Sequence, residues 1–158
     1  MSYDVTFEKV IEAQSRLISH LPPTPLRHYP SLDRCIGHGI TAWVKHENHH
    51  PTNAFKVRNA LSALSALDEP ARTRGVIAAT RGNHGQGVAW AGRLMDIPVT
   101  ICVPKGNNPE KNEAMVDLGA ELIVSGRDYD AAVQVAEALV TERGLTMVHS
   151  TNNADIIA

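Results

Sequence analysis

From Val76 onward, short apolar runs alternate with segments of helical length, and this alternation constrains the fold more than any other feature of the 158-residue chain. The runs are Val76-Ile77-Ala78-Ala79, then residues 99–103, then Leu122-Ile123-Val124, then Thr146-Met147-Val148-His149. Between them, residues 84–95, 109–118 and 130–143 carry patterns that suit helices. Strands apolar on both sides, separated by helices, predict an α/β fold: an open parallel sheet with helices on both faces, doubly wound by right-handed crossovers. No repeat at a fixed period and no low-complexity linker interrupts the pattern.

The first third is less regular. Thr6 can cap a helix whose apolar positions are Val10, Ile11, Leu17 and Ile18. Pro22, Pro23 and Pro25 end it and force an extended segment through Leu26. Residues 41–45 read as a short strand, and residues 55–67 as a helix with Leu61, Leu64 and Leu67 on its apolar face, closed by Asp68-Glu69-Pro70.

Composition removes several function classes. With 43% hydrophobic residues and a formal net charge of −2, the chain is neither disordered nor basic enough for a general nucleic-acid binder. No apolar run approaches the ~20 residues of a membrane helix. Met1-Ser2-Tyr3-Asp4 lacks the features of a secretory signal, and Cys35 and Cys102 form neither a framework nor a CxxC pair. The expectation is a cytoplasmic chain with no nucleic-acid or membrane partner.

Two segments can carry chemistry. Thr80-Arg81-Gly82-Asn83-His84-Gly85-Gln86-Gly87 joins a strand to a helix, where free N–H groups and the helix dipole favour an anion. Its glycine order differs from a dinucleotide fingerprint, no acidic residue stands near position 101–103, and no GK[ST] sequence marks a P-loop. A plain strand–helix turn is the bland alternative. In the second segment Lys56 opens a helix beside Phe55, where the dipole and partial burial disfavour the charged amine and prepare it as a Schiff-base former or base. Taken alone, such a residue is usually a surface lysine. His46, His49 and His50 stand near it, but Pro51 breaks a helix, and neither HExxH spacing nor a nearby cysteine supports a metal, so a polar loop is the better reading.

Together these segments resemble the pyridoxal-phosphate enzymes of the tryptophan-synthase-like fold (fold type II), on the threonine/serine dehydratase and serine racemase branch. The family pattern E-x-x-x-P-T-G-S-F-K-x-R-G-A is matched in register by residues 47–60, and S-S-G-N-H-G-Q-G by residues 80–87. Thr24-Pro25-Leu26, Val103-Pro104 and Leu118-Gly119-Ala120-Glu121 agree as well. The similarity runs along nearly the whole chain, which corresponds to about half of a family catalytic domain.

The resemblance implies residues 1–50 as an N-terminal segment of a large domain, residues 51–150 as the small α/β domain, and residues 151–158 as the start of a return into the large domain. The apolar Ile156-Ile157-Ala158 fits a chain cut inside an element meant for burial, the alternative being a tail docked on the domain's own surface. It further implies pyridoxal 5'-phosphate held on Lys56 as a Schiff base, with Phe55 and Asn83 lining the cofactor and Thr80, Arg81, Gly82, Asn83 and His84 binding the substrate. The reaction implied is an ammonia-lyase (dehydratase) step of amino-acid metabolism, turning threonine or serine into a 2-oxo acid and ammonia. The partners implied are a small amino acid and, as is common in the family, a second copy of the chain. A racemase, a β-replacement enzyme or a non-catalytic α/β module are the alternatives. The glycine-rich loop that grips the cofactor phosphate is not found here, so weak cofactor binding and little turnover are expected of this chain alone.

Departures from the family pattern are informative. Asn53, Ala54 and Asn59 replace Gly, Ser and Gly, and Asn can adopt a glycine's left-handed conformation. Arg81 replaces the serine that serves racemases as an acid–base group, and a guanidinium cannot give up its proton. Arg81 is therefore expected either to select a substrate with a further anionic or polar group, or to form an outward salt bridge.

Overall fold

The computed structural model describes residues 5–151 and 154–157, so Met1–Asp4, Asn152, Asn153 and Ala158 lie outside the described residues. An N-terminal helix α1 (Phe7–Leu17) is followed by strand β1 (Leu26–His28), helix α2 (Pro30–Ile36) and strand β2 (Trp43–Lys45), and β1 pairs antiparallel with β2. A 3₁₀ turn (Glu47–His49) leads to α3 (Lys56–Ser65) and α4 (Glu69–Arg74). The regular part then runs β3 (Val76–Ala79), α5 (Asn83–Met95), β4 (Val99–Val103), α6 (Pro109–Asp117), β5 (Glu121–Val124), α7 (Tyr129–Arg143), β6 (Thr146–Met147) and α8 (Ala154–Ile157).

The sheet is parallel throughout, in the order β5-β4-β3-β6, as the apolar alternation predicts. Strands β3 and β4 are buried along their full length, which requires helices on both faces. Val76, Ala78, Val99, Ile101 and Val103 point to a core shared with Val57, Leu61 and Leu64 of α3 and Val88 and Ala91 of α5. Ile77, Ala79 and Cys102 face the opposite side, under Ala132 and Ala136 of α7. Side chains of successive strand residues thus supply the two layers in turn. Burial raises the Cys102 thiol pKa to about 11, and both cysteines are free.

Helix starts follow local chemistry. The side chains of Asp128, Asn108 and Asp68 accept the N–H groups of Ala131, Lys111 and Ala71, and Thr6 accepts that of Lys9. Asp68-Glu69-Pro70 therefore does more than close α3: it caps and opens α4, with Pro70 in the first turn where a missing N–H costs nothing. Helix α2 likewise opens on a proline, Pro30, but without a side-chain cap, a signal the amphipathic pattern does not carry. Ile156 of α8 is buried in the main core, and the Asn59 side chain donates to its carbonyl oxygen.

Candidate active site

All four parallel strands point their carboxyl ends at one edge of the sheet, and the residues singled out by sequence collect there. Strand β3 is followed directly by Thr80, whose hydroxyl oxygen accepts the N–H groups of Gly82 at 3.0 Å and Gly85 at 3.3 Å. That bond pair curls the chain into the first turn of α5. Gly82 is the N-cap, and the N–H groups of Asn83 and His84 take no acceptor among the described residues. The turn therefore presents two N–H groups backed by the dipole of a thirteen-residue helix, an arrangement suited to an anion.

Lys56 is the first residue of α3. Its Nζ donates to the Ser150 carbonyl oxygen at 3.0 Å, just beyond β6, and stands 5.0 Å from the centre of the Phe55 ring. Helix α5 crosses close to this point: a Cβ built on Gly87 would lie 2.8 Å from the Lys56 carbonyl oxygen and 3.1 Å from the Val57 nitrogen. Only glycine permits that approach. The lysine and the asparagine turn thus share one edge of the molecule, the juxtaposition on which an enzyme reading depends.

His84 faces the same strand end. It is buried, and its Nε2 lies 3.0 Å from the Val148 carbonyl oxygen. Burial holds its pKa below the ordinary histidine value, with the nearby Lys56 charge adding to the effect and the bond to Val148 opposing it. A carbonyl can only accept, so the proton of the neutral ring sits on Nε2. Nδ1 is left a bare, buried acceptor with no hydrogen-bond partner.

The loop before Lys56 is held by one carboxylate. Glu47 accepts from Arg58 Nε at 2.7 Å and Nη2 at 3.2 Å, from the Thr24 hydroxyl at 2.6 Å and from His50 Nε2 at 3.0 Å. The Arg58 bonds, aided by Thr24 and opposed by burial, lower the Glu47 pKa to about 2. His50 is used up in this cluster, and burial lowers its pKa. His46 bonds the Tyr29 hydroxyl at 2.7 Å, and its ring lies 5.2 Å from that of His49. The histidine loop is occupied by these contacts. Asn53 has φ of 53°, the left-handed conformation expected of a glycine substitute.

Arg81 is exposed and makes no hydrogen bond or ion pair among the described residues, so no outward salt bridge is formed. Lys111 was not visible as a site residue in the sequence. It lies in the first turn of α6, and its Nζ donates to Asn83 Oδ1 at 2.7 Å and Gln86 Oε1 at 3.4 Å. The signal that could have found it is the parallel sheet itself, which brings the N-terminus of every crossover helix to one edge. A groove of about 720 Å³ lies on the other flank of α3, lined by Phe7, Val10, Leu17, Phe55, Arg58 and Asn59 among others, and does not include Lys56.

Comparison with known proteins agrees with this arrangement. The sequence profile of the family described as "Pyridoxal-phosphate dependent enzyme" matches residues 17–158. An L-threonine ammonia-lyase of Geobacter sulfurreducens is 36% identical over 147 residues, covering 93% of this chain and 36% of that protein. An L-threo-3-hydroxyaspartate ammonia-lyase of Pseudomonas sp is 34% identical over 97% of this chain and 47% of that protein. The crystal structure of a pyridoxal 5'-phosphate-dependent aspartate racemase superposes with a TM-score of 0.91 at 33% identity, over 99% of this chain and 49% of that one. The chain therefore spans less than half the length of each of these proteins. With the profile match covering most of its length and the matched motifs gathered at one sheet edge, the chain belongs to the pyridoxal-phosphate-dependent enzymes.

Proposed function

We propose that the chain forms the Lys56 side of a pyridoxal-phosphate-dependent ammonia-lyase that converts a hydroxyamino acid such as threonine or serine into a 2-oxo acid and ammonia. The observation that carries this reading is the packing of Gly87 on Lys56, which brings the amine and the asparagine turn to a common edge. The residues present fit the cofactor. A primary amine suits its aldehyde, an asparagine amide suits its ring oxygen, and the free N–H groups of the turn suit a carboxylate.

When bound, pyridoxal phosphate supplies a ring that withdraws the negative charge developing at the substrate Cα. The protein's part is attachment, orientation and proton transfer. Lys56 Nζ would hold the aldehyde carbon of the bound cofactor and, as a free amine, would take the proton from the substrate Cα. Between these tasks the Ser150 carbonyl offers it a resting acceptor. The Asn83 and His84 N–H groups hold the substrate carboxylate, and Thr80 keeps the turn in shape through its two accepted bonds. Loss of the β-hydroxyl as water and hydrolysis of the remaining C–N bond give the oxo acid and ammonia.

Arg81 bears on the choice of reaction. A guanidinium at the position where racemases use an acid–base serine cannot donate a proton to the opposite face, which favours elimination over racemisation. The free thiols of Cys35 and Cys102 accord with a cytoplasmic, reducing location. No helix among the described residues is long and apolar enough to cross a membrane. A homodimer belongs to the same proposal.

The test is trapping. Incubation with pyridoxal 5'-phosphate, reduction with borohydride and peptide mapping should place the adduct on Lys56, and Lys56→Ala should abolish it. An adduct spread evenly over surface lysines would overturn the reading. Scoring oxo acid against D-isomer after incubation with threonine and serine separates lyase from racemase.

A further inference from the structure

We propose that Lys111 is a positioning residue that fixes the Asn83 side chain with its NH2 group turned toward the ligand; the consequence for the cofactor rests on the function proposed above. An asparagine amide has two ends of nearly equal shape, and only its hydrogen bonds decide which end faces where. Lys111 is donor-only, and at 2.7 Å it takes the oxygen end of Asn83. A reversed amide would set NH2 against NH3⁺ with no acceptor between them. The same ammonium takes the oxygen of Gln86, one helical turn along, so both amides of the motif are turned the same way by one cation. The stem of Lys111 also lies over Gly82, with its Cδ 3.8 Å from the place of an added Cβ.

A second observation makes a purely structural role a poor account. Lys111 sits in the first turn of α6 and reaches the first turn of α5, so the positive ends of two helix dipoles both oppose its charge. Among the described residues no carboxylate pairs with it. For the stability of α6, an acidic or neutral residue would be better. Such a local conflict is expected where a side chain serves a site.

Side-chain NMR of the ¹⁵N-labelled chain tests the clamp without cofactor. Asn83→Asp assigns the Asn83 NH2 signals by deletion. Lys111→Met should move the NH2 signals of Asn83 and Gln86 and leave thermal stability equal or higher, and Lys111→Arg should restore the signals. Binding of pyridoxal 5'-phosphate at Lys56, followed by titration and by mass mapping of the borohydride-trapped adduct, should weaken about fivefold in Lys111→Met, as for loss of one oriented hydrogen bond. Unmoved Asn83 signals in Lys111→Met would overturn the proposal, and so would an unchanged affinity at Lys56. If the wild-type chain traps nothing on Lys56, the function reading fails by itself, while the amide signals still judge the clamp.

Discussion

Arg58 grips Glu47 with two guanidinium nitrogens, at 2.7 and 3.2 Å, across the whole loop that ends in Lys56. The first acidic residue and the arginine of the matched motif are thus one ion pair. It ties the two ends of residues 47–58 together, the segment that carries Lys56. Because Glu47 is partly buried and its other cation, Lys45, stands off at 3.7 Å, removing Arg58 leaves the carboxylate poorly compensated. Arg58→Met should cost roughly 2–4 kcal/mol, read as a lower urea midpoint at an unchanged slope.

The same carboxylate makes stability depend on acid. Its folded pKa of about 2 lies below the ordinary 4.5, so the native state binds fewer protons than the unfolded chain between those values. Its contribution is complete above pH 4.5 and disappears as pH falls toward 2. Urea titrations of wild type and Glu47→Gln should therefore differ most above pH 4.5 and converge in stronger acid.

His84 acts over a milder range. Burial lowers its pKa from 6.5, so the neutral ring is the native form and the unfolded chain takes up the proton first. The stability it contributes is complete above pH 6.5 and falls as pH drops below that value. Its ring signals in NMR should titrate below those of a solvent-exposed histidine. A midpoint at or above 6.5 would contradict the burial described here.

Gly87→Ala should push α5 from α3, since the new methyl meets backbone atoms of Lys56 and Val57 rather than a yielding side chain. A destabilisation of about 1–3 kcal/mol is expected from overpacking. Trapping of pyridoxal phosphate on Lys56 should fall even at temperatures where the variant remains folded.

Arg81→Ser should change ligand preference without changing the fold, because the side chain has no partner to lose. If its charge reads a second carboxylate, the ratio of affinities for dicarboxylic over monocarboxylic hydroxyamino acids should drop about tenfold, by analogy with a charge-assisted hydrogen bond. Titration of both ligand classes into the cofactor-loaded chain measures this, and an unchanged ratio would remove the role.

The parallel sheet was legible because β3 and β4 are buried on both faces and consequently apolar at every position but Thr100. The site turn was legible because Gly85 and Gly87 stand where an added Cβ would collide with Met115 and Thr80 in one case and with the Lys56 backbone in the other. Asn53 was legible through its left-handed φ, which glycine and asparagine tolerate. Helix α2 was not, since none of its residues is buried and no amphipathic period exists to read. Lys111 escaped for a different reason: its partners lie twenty-five and twenty-eight residues away and are joined to it only by tertiary packing.

The acceptor of the Lys56 ammonium stands ninety-four positions later in the chain. During synthesis the amine leaves the ribosome well before Ser150 exists, and for that interval it has only water to bond. This hydrogen bond therefore forms only after the chain through β6 has been made and has docked, and a nascent chain halted before that strand would carry the amine without this acceptor.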